Sequence, residues 1–274
     1  MSLHLDARQR AMLEEMGVRV FIPSPPSLGE SDDAPPGPPR GGGAASTAAA
    51  VAVARPATVP AAPVAARAPS GEIAAMDWEA LQAAVAGCQA CGLCQSRRNT
   101  VFGVGDTRAR WLVVGEAPGE NEDLQGEPFV GQAGQLLDNM LRAVGLNRQG
   151  QDEQAVYIAN VLKCRPPANR NPQPDEVLQC EPYLRRQVAL LQPQIILALG
   201  RFAAQSLLQH SLPDVATVPL GKLRGQVHQY EGVPVIVSYH PAYLLRTPQD
   251  KAKAWVDLCL AQAVLRGRSP STPE

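Results

Sequence analysis

The chain has 274 residues and carries 25 Lys and Arg against 26 Asp and Glu, a formal net charge of −1. That balance excludes a uniformly basic coat, so any argument about nucleic acid must come from local charge. No stretch is apolar for long enough to span a membrane, and the acids in "MSLHLDARQRAMLEEMG" are unlike a secretory signal, so a cytoplasmic chain with reduced thiols is expected.

In chain order, "LDARQRAMLEEMGVRVFIPSPP" (5–26) comes first. Met12, Leu13, Met16, Val18 and Val20 give an apolar pattern that ends at Phe21, Ile22 and Pro23. A short helix with an extended tip is expected, either as a docking peptide over residues 1–26 or as a helix packed on the chain's own domain. Residues 27–76 are mostly Ala, Pro, Gly, Val and Ser. They cannot bury enough apolar surface to offset their ordering entropy, and a disordered linker is expected. A folded domain over 77–268 and a tail over 269–274 complete the division.

Within that domain "DWEALQAAVAGC" predicts a helix, "RWLVVGEA" a strand and "GQAGQLLDNMLRAVGL" a helix by its apolar spacing. "AVYIANVLKC" predicts a second strand. "PDEVLQCEPYLRRQVALLQ" opens with Pro-Asp-Glu, a helix N-terminus. "PQIILALG" predicts a buried strand, "RFAAQSLLQ" a helix, and "GQVHQYEGVPVIVSYHP" a hairpin about Glu-Gly. A last helix is expected over about 249–266. Strands alternating with helices predict an α/β three-layer sandwich around a mostly parallel sheet. In such sheets ligands bind beyond the carboxyl ends of the strands, where the Gly-Glu-Ala-Pro-Gly turn, Asn160 and His240 all fall.

Cys88, Cys91 and Cys94 sit at Cys-x2-Cys spacing, and Cys164 and Cys180 bracket a Pro-rich polar segment read as a loop without internal secondary structure. Four thiolates suit structural zinc or an iron–sulfur cluster, and spacing leaves the choice open. Cys259, in the last helix, reads as a buried free cysteine. The loop after the first strand is crowded with Glu116, Glu120, Glu122 and Asp123. Four acids do not cradle phosphate; they suit water activation or stabilisation of a developing positive charge. Phe129 is either a core plug or a stacking platform. Lys and Arg outnumber Asp and Glu only in the second half of the chain, as a phosphate-facing surface requires.

Taken together, "GEAPGENED", "PFVGQAGQLL", "YIANVLKCRPPANRNPQPDE" and "HPAYLLR" resemble the family 4 uracil-DNA glycosylases, iron–sulfur members of the uracil-DNA glycosylase superfamily. The resemblance runs from about Cys88 to about Leu265. It implies a uracil-DNA glycosylase-like fold and a base-excision-repair enzyme that flips uracil out of DNA and hydrolyses its glycosidic bond. It implies a [4Fe–4S] cluster on Cys88, Cys91, Cys164 and Cys180, with Cys94 non-ligating. Phe129 would stack on the flipped ring, Asn160 would read the uracil edge, and His240 would donate to uracil O2. Glu122 would exclude the thymine methyl group. Ala117 stands where family 1 relatives carry a water-activating aspartate, which leaves Glu116 and Asn169 as candidates for placing water and stabilising the sugar cation. Leu244, Leu245 and Arg246 would wedge into the duplex, although core packing also suits one of the leucines. Arg165, Arg170, Lys222 and Arg224 would contact phosphates.

No basic His-containing insertion marks this chain as the branch that binds uracil covalently. A non-catalytic nucleic-acid-binding member of the fold is the alternative. The N-terminal stretch faintly resembles the N-terminal peptide of the clamp-loader psi subunit, which suggests a replication or single-strand-binding partner for residues 1–26. A monomer is the simpler expectation for a base-flipping enzyme.

Overall fold

The computed structural model describes residues 70–267. The expected docking peptide (1–26), most of the expected linker and the tail (269–274) lie outside the described residues. Ser70–Ala75, expected as linker, forms helix α1, and Ile73 within it is fully buried. The folded part therefore begins before Asp77. The Ala/Gly-rich composition hid a helix that one isoleucine anchors.

Helix α2 (Trp78–Ala86) follows, capped by Asp77, whose carboxylate accepts from the Ala80 amide at 2.9 Å. Then come β1 (Val104–Gly105), β2 (Trp111–Gly115), α3 (Glu120–Gln125), α4 (Gln132–Ala143), β3 (Val156–Asn160) and α5 (Pro174–Leu191). The chain continues through β4 (Ile195–Leu199), α6 (Arg201–Leu208), α7 (Leu220–Leu223), β5 (Val227–Tyr230), β6 (Val233–Ser238), α8 (Pro241–Arg246) and α9 (Lys251–Leu265). The six strands form one sheet in the order β1-β3-β2-β4-β6-β5. The four central strands run parallel, and the two edge strands are antiparallel to their neighbours.

The sheet is buried on both faces, which explains why β2 and β4 read as continuous apolar runs. Alternate side chains feed two cores. Leu112, Val114, Ile196 and Ala198 pack with Leu184 and Val188 of α5 and with Leu207 of α6. Trp111, Val113, Ile195 and Leu197 pack with Leu137 and Met140 of α4 and with Ala254 and Leu258 of α9. This is the three-layer sandwich. β5 and β6 join through Glu231 (φ 49°) and Gly232 (φ 80°), a two-residue turn whose positive φ values match the strand twist. Among the described residues no helix is long and apolar enough to cross a membrane.

Because the central strands are parallel, their carboxyl ends meet at one edge. The register sets Gly115 beside Asn160, and Leu199 beside Ser238, two residues before His240.

Candidate active site

A cleft of about 480 Å³ opens at that edge, lined by Glu116, Ala117, Glu122, Phe129, Asn160, Asn169, Arg170, His240 and Arg246 among others. Gly115 gives it its back wall: a Cβ there would collide with the Asn160 side chain and the Phe129 ring. Asn160 is 2 % exposed, and its Oδ1 has no hydrogen-bond partner. A buried, unpaired acceptor costs about 1–3 kcal/mol, which a ligand donor would recover.

The Phe129 ring stacks on the His240 ring with centroids 5.5 Å apart and planes 29° from parallel. His240 is the N-cap of α8, and its Nδ1 accepts from the Ala242 amide at 3.2 Å. That bond leaves the imidazole proton on Nε2. Burial pulls the His240 pKa down to about 4, so the ring is neutral at physiological pH. Glu116 follows β2 directly, and burial pushes its carboxyl up to about 7.

Glu122 lies in the first turn of α3. Its Oε2 accepts from the Gly119 amide at 3.0 Å, and its Oε1 accepts from Val130 at 3.0 Å and Gly131 at 3.3 Å. One carboxylate thus ties the start of α3 to the loop that carries Phe129. Across the cleft, Asn169 takes φ 53°, and its Oδ1 accepts from Arg165 Nε at 2.7 Å.

Behind this wall, Cys88, Cys91, Cys94, Cys164 and Cys180 line one small cavity with Arg97 and Lys163. Arg97 donates to Cys164 Sγ at 3.2 Å. Burial pushes the Cys164 thiol up to about 11 and the Cys180 thiol up to about 12. Among the described residues no three His, Cys, Asp or Glu side chains form a group that could hold a single metal ion. The thiols ring a space rather than a point. Cys180 lies inside α5, so only the segment up to Gln173 is a loop, itself containing a short 3-10 turn at Pro167–Asn169.

Residues 102–263 match the family described as the Uracil DNA glycosylase superfamily. The chain is 48 % identical to a type-4 uracil-DNA glycosylase of Archaeoglobus fulgidus over 166 residues, 59 % of this chain and 80 % of the relative. It is 40 % identical over 189 residues to the type-4 enzyme of Pyrobaculum aerophilum, covering 68 % of this chain and 93 % of that one. A type-5 enzyme of the same organism is 34 % identical over 150 residues, 51 % of this chain and 64 % of the relative. The chain belongs to the uracil-DNA glycosylase superfamily. Within it, the type-4 members give the stronger likeness.

Several expectations for this glycosylase-superfamily chain need correction. Leu244 is fully buried in the core between the sheet, α4 and α9, whereas Leu245 is 41 % exposed. Adjacent positions on a helix cannot face the same way, and of the two only Leu245 faces solvent. Arg224 is no free phosphate contact. Its Nε and Nη2 bind both oxygens of the buried Asp257 at 2.8 and 3.0 Å, and its guanidinium lies 4.3 Å from the Tyr239 ring centre. Arg170 is paired with Glu176 through both terminal nitrogens, and Arg165 sits 3.5 Å from Glu120 as well as on Asn169. Arg246 and Lys222 remain exposed, and Arg246 stands on the cleft rim. Cys259 is exposed rather than buried.

Two residues escaped the sequence reading. Lys163 is 2 % exposed, and its Nζ donates to the Asn160 carbonyl at 2.8 Å and to Gln187 Oε1 at 2.6 Å. Arg148 grips the carbonyls of Pro128 and Phe129. A lysine within an apolar run was the available signal for the first; none marked the second.

Proposed function

We propose that this chain is a uracil-DNA glycosylase of base excision repair, which flips uracil out of DNA and hydrolyses its N-glycosidic bond to leave an abasic site. The observation that carries the reading is the unpaired Asn160 Oδ1 buried beside the Phe129–His240 stack. Uracil N3–H supplies the donor that Oδ1 lacks, and the Asn160 amide nitrogen can donate to O4. Cytosine presents the opposite pattern and would leave both groups unpaired.

Phe129 covers one face of the flipped ring. His240 Nε2–H is aimed for uracil O2, where negative charge grows as the C1′–N1 bond breaks and its electron pair leaves with N1. A neutral imidazole does this as a hydrogen-bond donor, without transferring its proton. Ionised Glu116 stabilises the oxocarbenium-like sugar and, with Asn169, orients the water that adds to C1′. Ala117 offers no general base, so the route is dissociative. Glu122 acts through the loops it ties together and narrows the pocket on the side where thymine carries its methyl group.

The donor set of the second cavity, all thiols in a ring, fits a [4Fe–4S] cluster on Cys88, Cys91, Cys164 and Cys180, with Cys94 as a fifth, spare thiol. When bound, the cluster supplies structural cross-linking rather than chemistry at the base. Arg246, Arg165 and Arg170 form the DNA-facing rim, the last two sharing their charge with local carboxylates, and Leu245 is the wedge. Residues 1–26 tether the enzyme to a replication or single-strand-binding assembly in the cytoplasm, and the catalytic unit works as a monomer.

The test is excision from a uracil-containing single-stranded oligonucleotide, read by alkaline cleavage beside a thymine control. Cleavage at uracil alone is expected. No cleavage by iron-loaded protein, with retained DNA binding, would instead favour the non-catalytic alternative.

A further inference from the structure

Phe129 takes φ 55°. The left-handed region is unfavourable for a bulky side chain, so the surrounding structure must hold this turn in place. Two oppositely charged side chains do so from opposite sides. Glu122 takes the N–H groups of Val130 and Gly131 on the far side of the turn. Arg148, in the segment between α4 and β3, takes the carbonyls. Its Nη1 donates to Pro128 O at 3.1 Å, its Nη2 donates to Phe129 O at 2.9 Å, and its Nε donates to Asp138 Oδ1 at 2.8 Å. The Arg148 side chain is only 13 % exposed. Gly134 of α4 completes the seat, since a Cβ there would run into the Phe129 carbonyl.

We infer that Arg148 is a positioning residue for the glycosylase reaction: its guanidinium fork holds the Pro128–Phe129 turn so that the Phe129 ring lies where the flipped base must stack. The inference rests on the proposed uracil-excising activity for its kinetic part. The fork geometry is essential. A guanidinium presents three coplanar nitrogens and satisfies two successive carbonyls and a carboxylate together, whereas a lysine ammonium is a single point and cannot span them. Arg148 itself does not line the cleft. Its contacts reach the cleft through the Pro128–Phe129 turn, and that makes it separable from a general structural role.

The experiment compares Arg148→Lys and Arg148→Met with the wild-type, iron-loaded protein. Expected are a fall in kcat/KM on uracil DNA on the order of a hundredfold, the cost of misplacing a reactant by about 1 Å, and a parallel weakening of inhibition by free uracil. Amide exchange at Val130 and Gly131 should accelerate. Arg148→Lys in a Phe129→Ala background should cost less than about threefold further, because contacts in series are not additive. The inference fails if Arg148→Lys loses as much activity in that background as in wild type. It also fails if only the melting temperature moves while kcat/KM and uracil inhibition hold. A wild-type protein that leaves uracil DNA intact would sink the proposed activity instead, and the exchange measurement would then decide alone whether Arg148 holds the turn.

Discussion

The two walls of the cleft are built on different principles. The wall formed by residues 115–131 is wired at its main chain: Glu122 clamps three amides from within, and Arg148 takes the carbonyls of the Phe129 turn from outside. The wall formed by 164–173 is tied mainly by arginines on carboxyl and amide oxygens at its surface. It carries two successive left-handed residues, Ala168 and Asn169, and hangs between Cys164 and the helix that holds Cys180. The first wall is held by Glu122 and by Arg148 from outside it; the second rests on the Arg170–Glu176 pair and on the thiol site at its ends, and without that site it is the weaker of the two. A pocket assembled from both inherits the weaker one.

The largest expected effect strikes that weaker wall. Cys164→Ala, or chelation of the proposed cluster, should cost several kcal/mol, on the order of 10 °C in melting temperature, because metal-binding free energy is folding free energy in such sites. Iron content, visible absorbance and calorimetry check it. If the melting curve is unmoved, the contrast between the walls is wrong.

Next come the base-reading groups on the strand ends. Asn160→Ala and His240→Ala should each lower kcat by about 10²–10³, as loss of a charge-stabilising donor does, while iron content stays constant.

Third, Leu244→Ala should cost about 2–5 kcal/mol of stability as a core cavity. Leu245→Ala should leave the melting temperature within a degree or so and lower activity on duplex more than on single-stranded DNA. Equal effects of the two would contradict the phase of α8.

The smallest effect is on pH. Glu116 must be ionised to act, and its pKa stands at about 7, so activity should climb with pH through that value. His240, at about 4, should add no limb above pH 5. Stability runs the other way. The folded state holds the Glu116 proton more tightly than the unfolded chain, whose carboxyl titrates near 4.5, so native stability is lost as pH rises from there through about 7. Glu116→Gln should therefore melt higher than wild type above pH 7 and match it near pH 4, while its turnover falls behind wild type most above pH 7 and converges with it at low pH.

Much of this architecture was legible in the sequence, for reasons that differ by element. β2 and β4 announce themselves because a sheet buried on both faces needs unbroken apolar runs, and Glu231-Gly232 because few other pairs accept two positive φ values. The cleft residues Asn160 and His240 were readable from their place at strand ends. What stayed hidden depends on neighbours distant in sequence. Arg224 looks like any exposed cation until Asp257, on α9, is brought against it. Leu244 and Leu245 are equivalent until the helix phase is known. Arg148 belongs to no apolar pattern, and its partners precede it across the whole of α4. The α1 helix was lost to a composition that elsewhere signals linker.

Lys163 joins the two walls in a way that reaches beyond either. Its Nζ rests on the carbonyl of Asn160, and its side chain shares the cavity of the cysteines. The proposed base reader Asn160 and the nearest thiol, Cys164, are thus four positions apart on one stretch of main chain, with the buried Lys163 between them. If the proposed cluster forms there, a change at the thiols is felt at Asn160 through one buried side chain.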